Sequence, residues 1–165
     1  MLNKLKKSNS EGFTIIEVMI VLAIAGLILL IVFLAIPALQ RNSRNTQRSN
    51  DVGALVGAIS EFTNNNNGVG PATQANVDTV TASAKLGILT PANVFYQGTQ
   101  ASAPTVVSAV SSTPSATVLT TDSAIVIKGA TCNGNASAAG STRSYVVLFA
   151  VEAASGNGTM RCTQS

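Results

Sequence analysis

Glu17 is the one charged residue in an apolar run that extends from Phe13 to Leu39. Wound as a helix at about 1.5 Å per residue, that run is roughly 40 Å long, more than the roughly 30 Å hydrocarbon core of a bilayer. A carboxylate there costs about 2.5–3.5 kcal/mol at the bilayer centre and less toward an end. Either it snorkels to the interface or it awaits a partner. Other chemistry-bearing residues are few. The chain has no histidine, which excludes Ser-His-Asp and Cys-His arrangements and histidine zinc sites. Its two cysteines cannot make an all-cysteine site. Asp51, Glu61, Asp78, Asp122 and Glu152 are scattered, with no carboxylate pair at helical spacing in a polar, cleft-forming stretch. No EF-hand spacing appears either. The residues point away from an enzyme, and no metal or cofactor is expected.

Cys132 and Cys162 lie downstream of the apolar run. Cysteines beyond a membrane segment suit an oxidising, exported domain and favour a disulfide over two buried thiols. A bridge closing about 30 residues contributes roughly 3–4 kcal/mol in the chain-entropy description. The formal charge of +3 is small, and Lys4, Lys6 and Lys7 lie ahead of the apolar run. Arg41, Arg44 and Arg48 follow it, so the positive-inside rule is close to a tie. These three arginines share a helix face at spacings of three and four. They read first as a solvated face or a contact for headgroups and acidic neighbours. Without interleaved aromatics they are a faint footprint for DNA.

The elements that must hold these residues follow from pattern. Val52, Leu55, Val56, Ile59 and Phe62 form a helical stripe, so the helix continues past Leu39 as an amphipathic half that packs under a sheet. Asp51 and Glu61 are expected to look away from that face. The Asn64–Gly68 run supplies the stop. Residues 69–84 and 97–123 read as exposed loops and short irregular strands. "LGILTPANVFY" between them is apolar enough to join the core. Clear strands come at 124–129, 145–152 and 159–162, separated by Gly-, Asn- and Ala-rich turns, as in an antiparallel meander. Asn135-Ala-Ser and Asn157-Gly-Thr match the glycosylation sequon in a chain rich in these residues.

Residues 1–12, "MLNKLKKSNSEG", are short and basic, and "GFTIIE" leads into the apolar helix without an A-x-A-like site after it. This combination resembles the class III signal of type IV prepilins; the resemblance is strong from residue 4 to about 40. It implies cleavage of Gly12–Phe13 by a membrane-embedded prepilin peptidase on the cytoplasmic side and N-methylation of Phe13. It also implies that Glu17 meets the amino terminus of a neighbouring subunit and sets register as a filament grows. Gly26 and Pro37 become candidates for helix loosening on assembly, although Pro37 falls later than the family's usual proline. The implied organisation is a leader over 1–12, a long helix over 13–62 with a transmembrane and polymerisation segment over 13–39, and a head over 63–165. Its fold class is α+β, a long helix on a small antiparallel sheet with a disulfide-bounded C-terminal region.

The implied function is a structural subunit of a type IV pilus, for adhesion, twitching motility or DNA uptake. Its partners would be copies of itself in a helical filament, prepilin peptidase, the pilus assembly machinery and a host-cell or surface ligand. The precursor would sit in the inner membrane and the product in an extracellular pilus. The alternatives are a type II secretion pseudopilin and an uncleaved, membrane-anchored binding or sensor domain. Arg41, Arg44 and Arg48 would supply any contact with DNA.

Overall fold

The computed structural model describes residues 12–99, 119–154 and 158–165. The leader before Gly12, most of the expected 97–123 loop and the Asn157 sequon lie outside them. Helix α1 spans Ile15–Asn65, and two compact units divide between Leu39 and Gln40.

In the first unit, α1 is apolar on every side, and its large residues are exposed from Ile15 to Leu39. By length and composition it is able to cross a membrane.

In the second unit, the rest of α1 is amphipathic. Val52, Leu55 and Ile59 are buried, with Val56 and Phe62 packed beside them, as the stripe predicts. The helix stops where Gly68 donates its N–H to the carbonyl of Thr63 at 2.8 Å. Asn67 (φ 55°) and Gly68 (φ 82°) are left-handed, which asparagine and glycine tolerate best.

The head contains a four-stranded sheet in the order β1-β2-β5-β6. Its strands are β1 (Val94–Thr99), β2 (Ala124–Lys128), β5 (Tyr145–Glu152) and β6 (Gly158–Gln164). Between β2 and β5 in sequence come β3 (Ala130–Asn133) and β4 (Ala136–Ala139), paired as a separate hairpin. Val126 pairs with Val147 across β2 and β5, and Leu148 with Cys162 across β5 and β6, both antiparallel. One sheet face carries Val94, Ala124, Val126, Val147 and Phe149 against α1. The other carries Ile125, Ile127, Val146 and Leu148 under the hairpin. Burial on both faces is why β2 and β5 read as nearly unbroken apolar runs rather than alternating ones.

Four details differ from the sequence reading. Residues Gln74–Ser83, expected as loop, form helix α2, capped by Thr73, whose hydroxyl accepts from the Asn76 N–H at 3.3 Å. Val77 and Val80 face the core, so tertiary packing outweighs the weak helix propensity of Thr and Val. The sheet is not a pure meander, because β1 lies parallel to β2. The turn-like stretch after β2 is itself a hairpin, closed by Gly134 (φ 61°) and Asn135, a Gly-X loop that suits a two-residue turn. Lastly, Asp51 does not look away. It is buried and accepts N–H bonds from Gly87, Ile88 and Leu89 at 3.1, 2.6 and 3.1 Å, tying that loop to α1.

Cys132 on β3 and Cys162 on β6 are joined as a disulfide, with Cα atoms 5.7 Å apart. Both pack against the hairpin-side core, so the bridge fastens the hairpin over that face. The small residues of the hairpin allow the close fit. At Gly140, an added Cβ would sit 2.7 Å from the backbone of Ala130.

Candidate assembly segment and helix face

The N-terminal site begins at Gly12 and Phe13, ahead of α1, with Phe13 almost fully exposed. Thr14 stands at the helix cap. Its N–H and its hydroxyl both donate to Glu17 Oε2, at 2.8 and 2.7 Å. In return, the Glu17 N–H donates to Thr14 Oγ1 at 3.4 Å. This is a capping box, T-x-x-E, in which one carboxylate answers an orphan donor of the first turn. It also draws stabilisation from the positive end of the helix dipole.

The sequence analysis gives Thr14 no role of its own, although the box is legible in "TIIE". Phe13 and Glu17 border a shallow recess of about 320 Å³ with Val18, Val21 and Leu22. The Phe13 backbone nitrogen and the Glu17 carboxylate thus lie within about one helical turn of one another. Gly26 and Pro37 both lie inside α1, and an added Cβ at Gly26 would meet open space.

The arginines do not form a free basic face. Arg44 holds Glu152 through two bonds, Nε to Oε1 at 2.9 Å and Nη2 to Oε2 at 2.7 Å. Arg48, whose side chain is only 4% exposed, reaches Asp122 at 2.7 Å and Glu152 at 2.8 Å. Arg41 donates to the Ala153 carbonyl at 3.4 Å. Asn45 completes the cluster: its carbonyl oxygen accepts from the Glu152 N–H at 2.8 Å, and its amide donates to the Glu152 carbonyl at 2.9 Å.

Arg44, then Arg48, hold the Glu152 carboxyl down to about 2, and burial only partly opposes them. Glu152 in turn raises the Arg44 pKa. Arg44 and Arg48 therefore meet acidic neighbours, one of the contacts their spacing suggested. Their charge is spent inside the head, fastening α1 to the end of β5 and, through Asp122, to the turn before β2. Both acids read as scattered in the sequence because their partners lie far away along the chain, Glu152 at 108 residues from Arg44 and Asp122 at 74 residues from Arg48.

Residues 7–33 match the family described as the prokaryotic N-terminal methylation motif. No curated protein and no solved structure matches the chain.

Proposed function

With residues 7–33 as the class III signal of type IV pilins and the chain a type IV pilin-like or pseudopilin protein, we propose that it is the subunit of a type IV pilus. The precursor is held in the membrane by α1 and is cut between Gly12 and Phe13. The product, N-methylated on Phe13, polymerises through residues 13–39 into a surface filament.

One observation supports this reading above the others: an exposed apolar segment from Phe13 to Leu39 whose only charge, Glu17, sits in the capping turn beside Phe13. Cutting before Phe13 places an α-ammonium next to that carboxylate. A neighbour's ammonium brought to the same place neutralises it in an apolar surrounding, where an unpaired charge is costly. One polar pair among otherwise nonspecific apolar contacts fixes the axial register of the helices. The exposed surface of the head remains for adhesion to a surface or host ligand.

Mass spectrometry of protein from its own cells tests the proposal. The expected N-terminal peptide starts at Phe13 and carries one added methyl. A peptide that retains the leader in mature surface material overturns it and favours an anchored domain.

A further inference from the structure

The head half of α1 carries two open clefts on opposite flanks of its core stripe. One, of about 590 Å³, lies between α1 and β6, bordered by Asn42, Asn45, Phe149, Arg161 and Thr163. The other, of about 510 Å³, lies between α1 and α2, bordered by Ala54, Gly57, Glu61 and Thr79. At 3.6 residues per turn, Asn42 and Asn45 fall to one side of the buried Leu55–Ile59 line, and Ala54 and Glu61 to the other. The clefts are also staggered, with Glu61 roughly 24 Å further along α1 than Asn45 at about 1.5 Å per residue.

Each cleft holds one charge whose side chain has no partner among the described residues. Among the described residues, neither the Arg161 nor the Glu61 side chain makes an ion pair or hydrogen bond, and both are exposed.

We propose that the two clefts are the two halves of one contact between copies of this chain, in which Glu61 of one copy enters the β6-side cleft of the next and pairs with Arg161. This rests on the reading of the chain as a filament subunit and names how the heads meet. Two different patches on opposite flanks make a heterologous contact, which propagates rather than closing into a dimer. The stagger makes it rise along the axis.

Among the described residues, Arg143 is a second cation without an ion pair on the β6 flank, but it borders a recess with Ser60, Thr63 and Asn64, level with Glu61. A pair through Arg143 would set heads side by side without rise. The α2-side cleft is also open to close approach: an added Cβ at Gly57 meets nothing within 4 Å.

The test is a charge exchange in the full chain, expressed in its own cells, with sheared filament yield read against membrane-held subunit. Exposed charges of this kind change stability little, so subunit level should hold in every variant. Glu61→Arg and Arg161→Glu should each lower filament yield roughly tenfold through like-charge juxtaposition, and the double exchange should restore it. Full yield from the single variants, no rescue by the double, or rescue of Glu61→Arg by Arg143→Glu instead would overturn the pairing.

As a second measurement, a benzophenone amino acid in place of Gly57 should cross-link to the 158–165 peptide of another copy. A cross-link elsewhere, or none, overturns the contact. Absent wild-type filaments with an uncut leader would instead bring down the parent reading. Wild-type filaments with no exchange effect bring down this contact alone.

Discussion

The two stretches of α1 solve the same problem, a charged group on a long helix, in opposite ways. Before Leu39, Glu17 is answered by Thr14, three residues away. After it, Arg44 is answered by Glu152, 108 residues away. Thr14–Glu17 needs only the first turn of a helix, so it is satisfied whether or not the head has folded. The Arg44–Arg48–Glu152 cluster exists only in the folded head. The apolar surface follows the same division: Leu55 and Ile59 are covered by the head's own sheet and loops, whereas that of the first segment is exposed throughout. Burying a Leu or Ile side chain is worth about 1.5–3 kcal/mol each, so the first segment requires a cover that is not this chain's own head. A membrane before assembly and other copies afterwards would each supply one.

The strongest way to break the comparison is at Glu17. Glu17→Ala is expected to leave the subunit in the membrane and lower filament yield at least tenfold, about the effect of 1.4 kcal/mol per contact. Normal yield would remove the assembly role. Glu17→Gln sharpens the result, because glutamine can still serve a capping box but carries no charge. If loss of the cap were the cause, Gln would rescue; if the charge were, it would not.

In the head, the largest single effect should come from the Cys132–Cys162 bridge. Replacing both with serine should cost about 3–4 kcal/mol, read as a lower thermal midpoint of the sheet signal for the full chain in detergent. The α1 helix signal of residues 13–39 should be unmoved. If both signals fall together, the two segments are not independent in stability.

What was legible in the sequence divides along the same line. Contacts made within one element leave a local pattern. The apolar run, the 52–62 stripe, the Asn-Gly stop and the span of β5 could all be read from spacing. Helix α2 could not, because "QANVDTVTAS" owes its helix to Val77 and Val80 meeting the core. The parallel placement of β1 was hidden for a similar reason, since pairing partners far apart in sequence leave no signal in either strand. Asp51 is the instructive miss. A carboxylate next to an apolar stripe looks solvated until the three N–H groups of the 87–89 loop are brought to it. Thr14 is the opposite case, a local signal in plain view that the cleavage motif overshadowed.

Asp51→Ala should therefore destabilise the head by about 1–3 kcal/mol, the cost of leaving buried donors unmet. Asp51→Asn, which keeps an acceptor oxygen, should recover part of the loss in the same melt. Hydrogen exchange should localise the change to Gly87, Ile88 and Leu89. A loss spread evenly over the sheet would mean that Asp51 acts on the whole fold rather than on that loop.

The smallest effect is a pH window that belongs to the head alone. Glu152 is held near 2 when folded, against an ordinary value of 4.5. A carboxylate lowered on folding contributes stability that is fully present above its unfolded value and is lost as pH falls through its folded one. The head should therefore weaken as pH drops from about 4.5 toward 2, by about 1–2 kcal/mol, short of the full shift because Glu152 keeps some access to solvent. Glu152→Gln should be less stable at neutral pH and lose most of this slope, bringing the two profiles together near pH 2. Raised salt should shrink the difference through Arg44, which is half exposed, and leave the share due to Arg48, which is withdrawn from solvent. Parallel wild-type and variant profiles would place the acid sensitivity elsewhere, and the contrast between a self-capped segment and a head clasped by distant charges would lose its electrostatic half.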